Sequence, residues 1–286
     1  MKQLALSLTI LGVAILSAQE APPDKPGRIF NTVKLKLAAG KQVVGGTVEV
    51  PNITTYCAMA NSGYDYIWIE MQHSPITYQD AANMIFACKG SPAMPFVRVP
   101  DATEGDIQKA VDMGAAGIII PMVEDLQKVR NAIKFAKYPP VGKRSQGGGN
   151  YRAVWGDDYR QIANENIMIV AMIESPAGVK LAEEMAAIPG VDVIFIASTD
   201  LASFSGLKQG DPGYEALVTK VLNATLKAGK KVAGPVAWQS TRKGYTFFQA
   251  PTEATLIKAA VKASMGGAST GGEKKGIAPT EGSEKH

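Results

Sequence analysis

The chain has 286 residues, 46% of them hydrophobic, enough for one large barrel or two small domains and too apolar for a disordered or fibrous protein. Its 30 Lys and Arg against 26 Asp and Glu leave a formal charge of +4, and the basic residues are scattered rather than gathered in a stripe with aromatics, which argues against a nucleic-acid partner. Two cysteines exclude a disulfide scaffold.

Met1-Lys2-Gln3, an apolar run from Leu4 to Leu16 and then Ser17-Ala18-Gln19 have the charged start, greasy middle and small exit residue of a secretory signal. A run of about 13 apolar residues falls short of the ~20 that cross hydrocarbon, so residues 1–18 are expected to be removed after Ala18, leaving no membrane anchor. The mature chain is therefore expected to be exported, periplasmic or secreted. Residues 19–30 read as a leader, Pro-rich and polar as far as Gly27. Residues 31–265 hold the fold, and Gly266 to His286, rich in Gly, Lys and Glu, reads as a flexible tail. Cys57 and Cys88 lie in apolar stretches that read as helices, where two buried thiols and a bridge are both admissible.

Between the ends, short β-rich runs alternate with helical stretches. The runs are Val43–Val48, Tyr66–Glu70, Pro95–Val99, Gly117–Pro121, Ile167–Ile173, Val193–Ile196 and Val232–Pro235, with an eighth at Thr246–Gln249. Several are apolar without alternation, as strands buried on both faces of a parallel sheet must be. Thr103–Met113 and Glu124–Ala136 carry apolar residues at helical spacing. A doubly wound sheet has the same alternation. Polar residues gathered at the C-terminal ends of the runs favour a (β/α)8 TIM barrel, whose active sites are built there.

The second run ends in Glu70 and leads to Gln72 and His73. A lone histidine is more often structural than catalytic, but one at a strand end beside a carboxylate suits proton transfer near neutral pH. Arg98 ends the third run between apolar neighbours, where a guanidinium binds a carboxylate or carbonyl oxygen or pairs with a structural acid. Glu174 follows the fifth run and Asp200 the sixth. Two carboxylates from adjacent strands make a hard oxygen site suited to Mg²⁺ or Mn²⁺, and the bland alternative is that each caps the helix after it. The segment Tyr138–Asn150, with Gly147-Gly148-Gly149, is neither a Walker loop nor a dinucleotide fingerprint, and reads equally as a ligand-binding or a surface loop.

Taken in order, Asp65-Tyr66-Ile67-Trp68-Ile69-Glu70-Met71-Gln72-His73, Arg98-Val99-Pro100, Gly114 to Pro121, Tyr138 to Arg144, Ile173-Glu174 and Pro189-Gly190-Val191-Asp192 leading to Asp200-Leu201 resemble the HpcH/HpaI aldolase and citrate lyase family. The likeness spans about Leu37 to Leu256. It implies a barrel of the phosphoenolpyruvate/pyruvate type and a divalent-metal-dependent carbon–carbon lyase that makes or breaks 2-oxo acids through a pyruvate-type enolate, with an aldehyde as the other partner. By the resemblance, Glu174 and Asp200 hold the metal and Arg98 contacts the oxo-acid oxygen. His73 moves protons through a water on the metal, oriented by Glu70, and the backbone around Thr199 and Asp200 receives the substrate carboxylate. Family members generally assemble as homo-oligomers, often hexamers. The chain departs from the aldolase pattern at Gln72, usually Glu, at Met172, usually Gln, and at Ala197-Ser198-Thr199, usually Gly-Pro-Ala. Those departures keep open an exported ligand-binding barrel without turnover; the same family also offers a lyase acting on acyl thioesters, against which export argues because coenzyme A conjugates are intracellular.

Overall fold

A computed structural model describes residues 27–268. Eight parallel strands close into a barrel in chain order: β1 (Val43–Val48), β2 (Tyr66–Glu70), β3 (Met94–Arg98), β4 (Gly117–Ile120), β5 (Met168–Ile173), β6 (Val193–Ile196), β7 (Lys231–Pro235) and β8 (Tyr245–Thr252). The barrel expectation holds, and all eight strands fall on the predicted runs with ends shifted by at most three residues. The helix predicted from Glu124 starts at Leu126 because the Asp125 side chain accepts from the Gln127 N–H and caps it.

The two-residue period of a strand decides what fills the barrel. Along β2, Tyr66, Trp68 and Glu70 point inward in turn. Tyr66 stacks on Phe247 at 4.4 Å and meets Phe96 at a tilt at 5.0 Å, forming an aromatic floor. Gly45 and Gly117 make room for it, since a Cβ on either would lie about 2 Å from the Tyr66 or Phe96 ring. One layer higher Trp68 meets Phe195 edge-on at 5.2 Å. The next inward residues are charged, so the C-terminal rim is a polar site over an apolar plug.

The opposite end is closed by residues assigned to the leader from sequence. Phe30 stacks on Trp155 at 4.2 Å, and Asn166 Oδ1 accepts from the N–H groups of Phe30 and Asn31. At that end, too, lies the triple-glycine segment. Arg144 is buried among Tyr138, Tyr151 and Tyr159 and pairs with Asp112 at 2.6 Å, which anchors the segment away from the rim. The glycines Gly147 and Gly148 are themselves exposed there.

Cys57, in the helix Ile53–Ala60, and Cys88, which ends the helix Tyr78–Ala87, are joined by a disulfide. The last helix, Glu253–Ala268, takes in the first three residues of the predicted tail. The signal segment, most of the leader and the rest of the tail lie outside the described residues. No described helix is long and apolar enough to cross a membrane.

Candidate active site at the C-terminal rim

Glu70 and Arg98 are register partners at the ends of β2 and β3. Arg98 Nε lies 2.6 Å from Glu70 Oε2, off the N–H axis, so the contact is an ion pair more than a hydrogen bond. Trp68 Nε1 donates to the same oxygen at 3.1 Å, and Glu70 Oε1 accepts from the backbone N–H groups of Gln72 (2.8 Å) and His73 (3.0 Å). Glu70 thus has a partner on each oxygen. It fixes the loop that carries His73 but does not bond the imidazole, which is a narrower role than the sequence reading gave it. His73 itself is exposed on the rim.

Glu174 is buried directly after β5. Its Oε2 accepts from the backbone N–H of Met122 at 2.9 Å, whereas its Oε1 is buried without any hydrogen-bond partner. The nearest cation, Arg98 Nη1, stands 3.9 Å away. Burial pushes the Glu174 carboxyl above its ordinary range, opposed by Arg98 and reinforced by the negative charge of Asp200. The two carboxylates therefore feel one another across the β5–β6 edge. Neither is a helix cap. Ser175 caps the helix Pro176–Lys180, and the helix Ser198–Ser205 begins at Ala197 with no side-chain cap, placing Asp200 in its first turn.

A buried carboxylate oxygen without a partner costs about 1–3 kcal/mol unless a cation satisfies it. Paired with a second carboxylate, that bare oxygen fits a hard divalent ion such as Mg²⁺ or Mn²⁺, which is commonly held by only one or two protein carboxylates and completes its shell with water and substrate oxygens. Among the described residues no group of three or more His, Cys, Asp or Glu converges.

Beside the pair opens a cavity of about 200 Å³ lined by Arg98, Met172, Phe195, Ser198, Thr199 and Asp200. The first-turn N–H groups of the helix Ser198–Ser205 take no side-chain cap, and such a terminus favours an anionic group. Met172 Sδ accepts from Arg98 Nη1 at 3.8 Å, so the thioether faces the guanidinium. The Gln72 Oε1 is buried without a partner. The structure thus brings Glu70, Arg98, Glu174, Thr199 and Asp200 to one rim.

The sequence profile of the HpcH/HpaI aldolase/citrate lyase family matches residues 49–244. The chain belongs to this family. It is 32% identical over 220 residues to the hydroxypyruvate/pyruvate aldolase of Chromohalobacter salexigens, covering 72% of this chain and 86% of that one. In fold it is similar to a HpcH/HpaI family protein from Burkholderia cenocepacia J2315, with a TM-score of 0.77 at 27% identity, over 84% of this chain and all of that one. It is also similar to the citrate synthase SbnG, with a TM-score of 0.72 at 29% identity over 82% and 96% of the chains. Family and aldolase relatives together make this HpcH/HpaI chain a carbon–carbon lyase.

Two rim residues escaped the sequence reading. The inward series of β1 is Gly45, Thr47 and then Glu49, and that of β8 carries Gln249, whose Nε2 donates to Thr47 Oγ1 at 3.2 Å. Glu49 stands at the end of a strand as Glu70 does, so the same alternation would have found it. Its carboxyl is raised by burial and then by Glu253 and Glu70, against the pull of Arg98 and His73.

Proposed function

We propose that the chain is a Mg²⁺- or Mn²⁺-dependent aldolase acting on a small 2-oxo acid and an aldehyde. The observation that carries this is the buried, partnerless Oε1 of Glu174 facing the side of the barrel that holds Asp200 and Arg98. Glu174 and Asp200 are the residues that would hold the ion, and when bound it would polarise the 2-oxo group and offset negative charge developing there.

The remaining steps belong to the chain's own groups. The first turn of the helix Ser198–Ser205, with Thr199 and Asp200, receives the substrate carboxylate. Arg98 donates to the oxygen on carbon 2, where charge accumulates as an enolate forms. Glu70 holds Arg98 and the loop bearing His73 in register. His73, on the open side of the rim, passes protons between substrate and solvent. In the cleavage direction the 4-hydroxyl gives up its proton and the C3–C4 bond breaks. Its electron pair remains on the donor fragment, the aldehyde leaves, and a solvent proton then restores the methyl group.

The test is proton NMR of pyruvate in D2O with the metal-supplemented protein. Loss of the methyl signal that a chelator stops supports the reading. No exchange by a protein that binds Mn²⁺ would overturn pyruvate as donor.

An exported location is part of the proposal. The apolar run from Leu4 to Leu16 and the Cys57–Cys88 bond both support it, since disulfides are rare where glutathione keeps thiols reduced. Homo-oligomer assembly is supported by the helix Glu253–Ala268, where Ile257, Val261 and Met265 form an apolar stripe at a spacing of four and are 59%, 51% and 70% exposed. Light scattering of wild type and Val261→Asp checks that assembly.

A further inference from the structure

A second cavity, of about 410 Å³, opens beside the first and shares Arg98, Pro235 and Gln249 with it. Its polar lining is Thr47, Glu49, Gln249, Thr252 and Thr255, together with Glu70 behind Arg98. Hydroxyls, an amide and carboxylates are therefore what a molecule entering from this side meets. The one cation at the boundary is Arg98, already paired with Glu70 at 2.6 Å and 3.9 Å from Glu174. No lysine lines the space.

Glu49 gives this cavity its sign. Its backbone N–H is held by both oxygens of the buried Glu253 carboxylate, each at 3.1 Å, which fixes the end of β1. Its side chain is half-buried on the cavity wall, and among the described residues only the backbone N–H of Glu49, not its carboxylate, makes a hydrogen bond. A carboxylate held in this way is free to accept from a ligand hydroxyl and repels a ligand anion.

We propose that this cavity is the acceptor-aldehyde subsite and that Glu49 restricts it to uncharged, hydroxylated aldehydes, excluding phosphorylated and carboxylated ones. The inference rests on the enolate reading of the neighbouring cavity. In the addition step carbon 3 of the donor enolate bonds to the aldehyde carbon. The carbonyl electron pair moves onto the aldehyde oxygen, which takes up a proton, and the other hydroxyls of the acceptor donate to Glu49 and Gln249.

The experiment measures kcat/KM for pyruvate addition to glyceraldehyde, erythrose and glyceraldehyde 3-phosphate with the metal-supplemented full chain. Erythrose controls for size. The neutral aldehydes are expected to be preferred over the phosphate ester by about tenfold or more. In Glu49→Gln the preference should shrink by a similar factor, chiefly through KM for the ester. Thr252→Lys, which brings a cation to the edge of the same cavity, should shift it in the same direction and serves if the first variant folds poorly. Equal or better use of the ester by wild type overturns the inference, as does an unchanged ratio in the variants. Pyruvate deuterium exchange without aldehyde is run alongside. Its absence removes the enolate reading and this inference with it, whereas exchange with a reversed aldehyde preference removes the inference alone.

Discussion

Met122 donates its backbone N–H to Glu174 Oε2 at 2.9 Å from a left-handed backbone, with φ 50°, the only non-glycine residue in that region among the described residues. An L side chain there costs roughly 1–2 kcal/mol, and the conformation turns one Glu174 oxygen toward β4 while leaving the other bare. Met122→Asn, which keeps the N–H and enters this region more readily, is expected to preserve Mn²⁺ binding and raise stability by up to about 1 kcal/mol. A lower Tm would show that the Met122 side chain outweighs the backbone strain.

Glu174→Gln and Asp200→Asn each remove a negative oxygen from the pair. Both variants are expected to retain the barrel by circular dichroism and to lose measurable Mn²⁺ binding by calorimetry. Retained affinity in both would sink the metal site.

Arg98→Lys keeps a charge beside Glu70 but loses the guanidinium fork that faces both Glu70 and Met172. Pyruvate exchange should fall by about 100-fold or more while Mn²⁺ affinity stays within a small factor. Unchanged exchange would make Arg98 structural.

Lys137, buried at the opposite end of the barrel, donates to the carbonyls of Asn164 and Ile167, and burial pulls its ammonium down to about 8 from an ordinary 10.5. Between those values the folded chain binds fewer protons than the unfolded one, so this group adds stability as pH rises from about 8 to 10.5, and its cost is fully present below about 8. Denaturation of wild type measured against Lys137→Met should show the difference growing in favour of wild type across that window, by on the order of 3 kcal/mol at most. A pH-independent difference would mean that the two carbonyl bonds keep the lysine charged.

The Cys57–Cys88 bond closes a 31-residue separation between two outer helices. Chain entropy predicts a loss of about 3–4 kcal/mol in Cys57→Ala/Cys88→Ala. Pyruvate exchange should persist, because neither cysteine lies at the rim. A guanidinium titration and the exchange assay on the same sample separate the two effects.

The sequence by itself determined the strands and the rim, and through the polar residues at the strand ends it favoured a barrel over a doubly wound sheet. Uninterrupted apolar runs require strands buried on both faces, and a polar residue ending such a run has one place to go, the open C-terminal end. That local rule located Glu70, Arg98, Glu174 and Asp200, and applied to β1 it would also have reached Glu49. It is carried by backbone periodicity, which depends only on neighbours in the chain. What each group touches was decided by closure of the barrel, which sets residues distant in sequence side by side. Only the tertiary structure shows that Glu70 holds the His73 backbone rather than its ring, that one oxygen of Glu174 is left bare, and that Cys57 meets Cys88. It alone puts the triple-glycine segment at the far end, because the helix Leu126–Ala136 carries the chain back down the barrel before that segment begins.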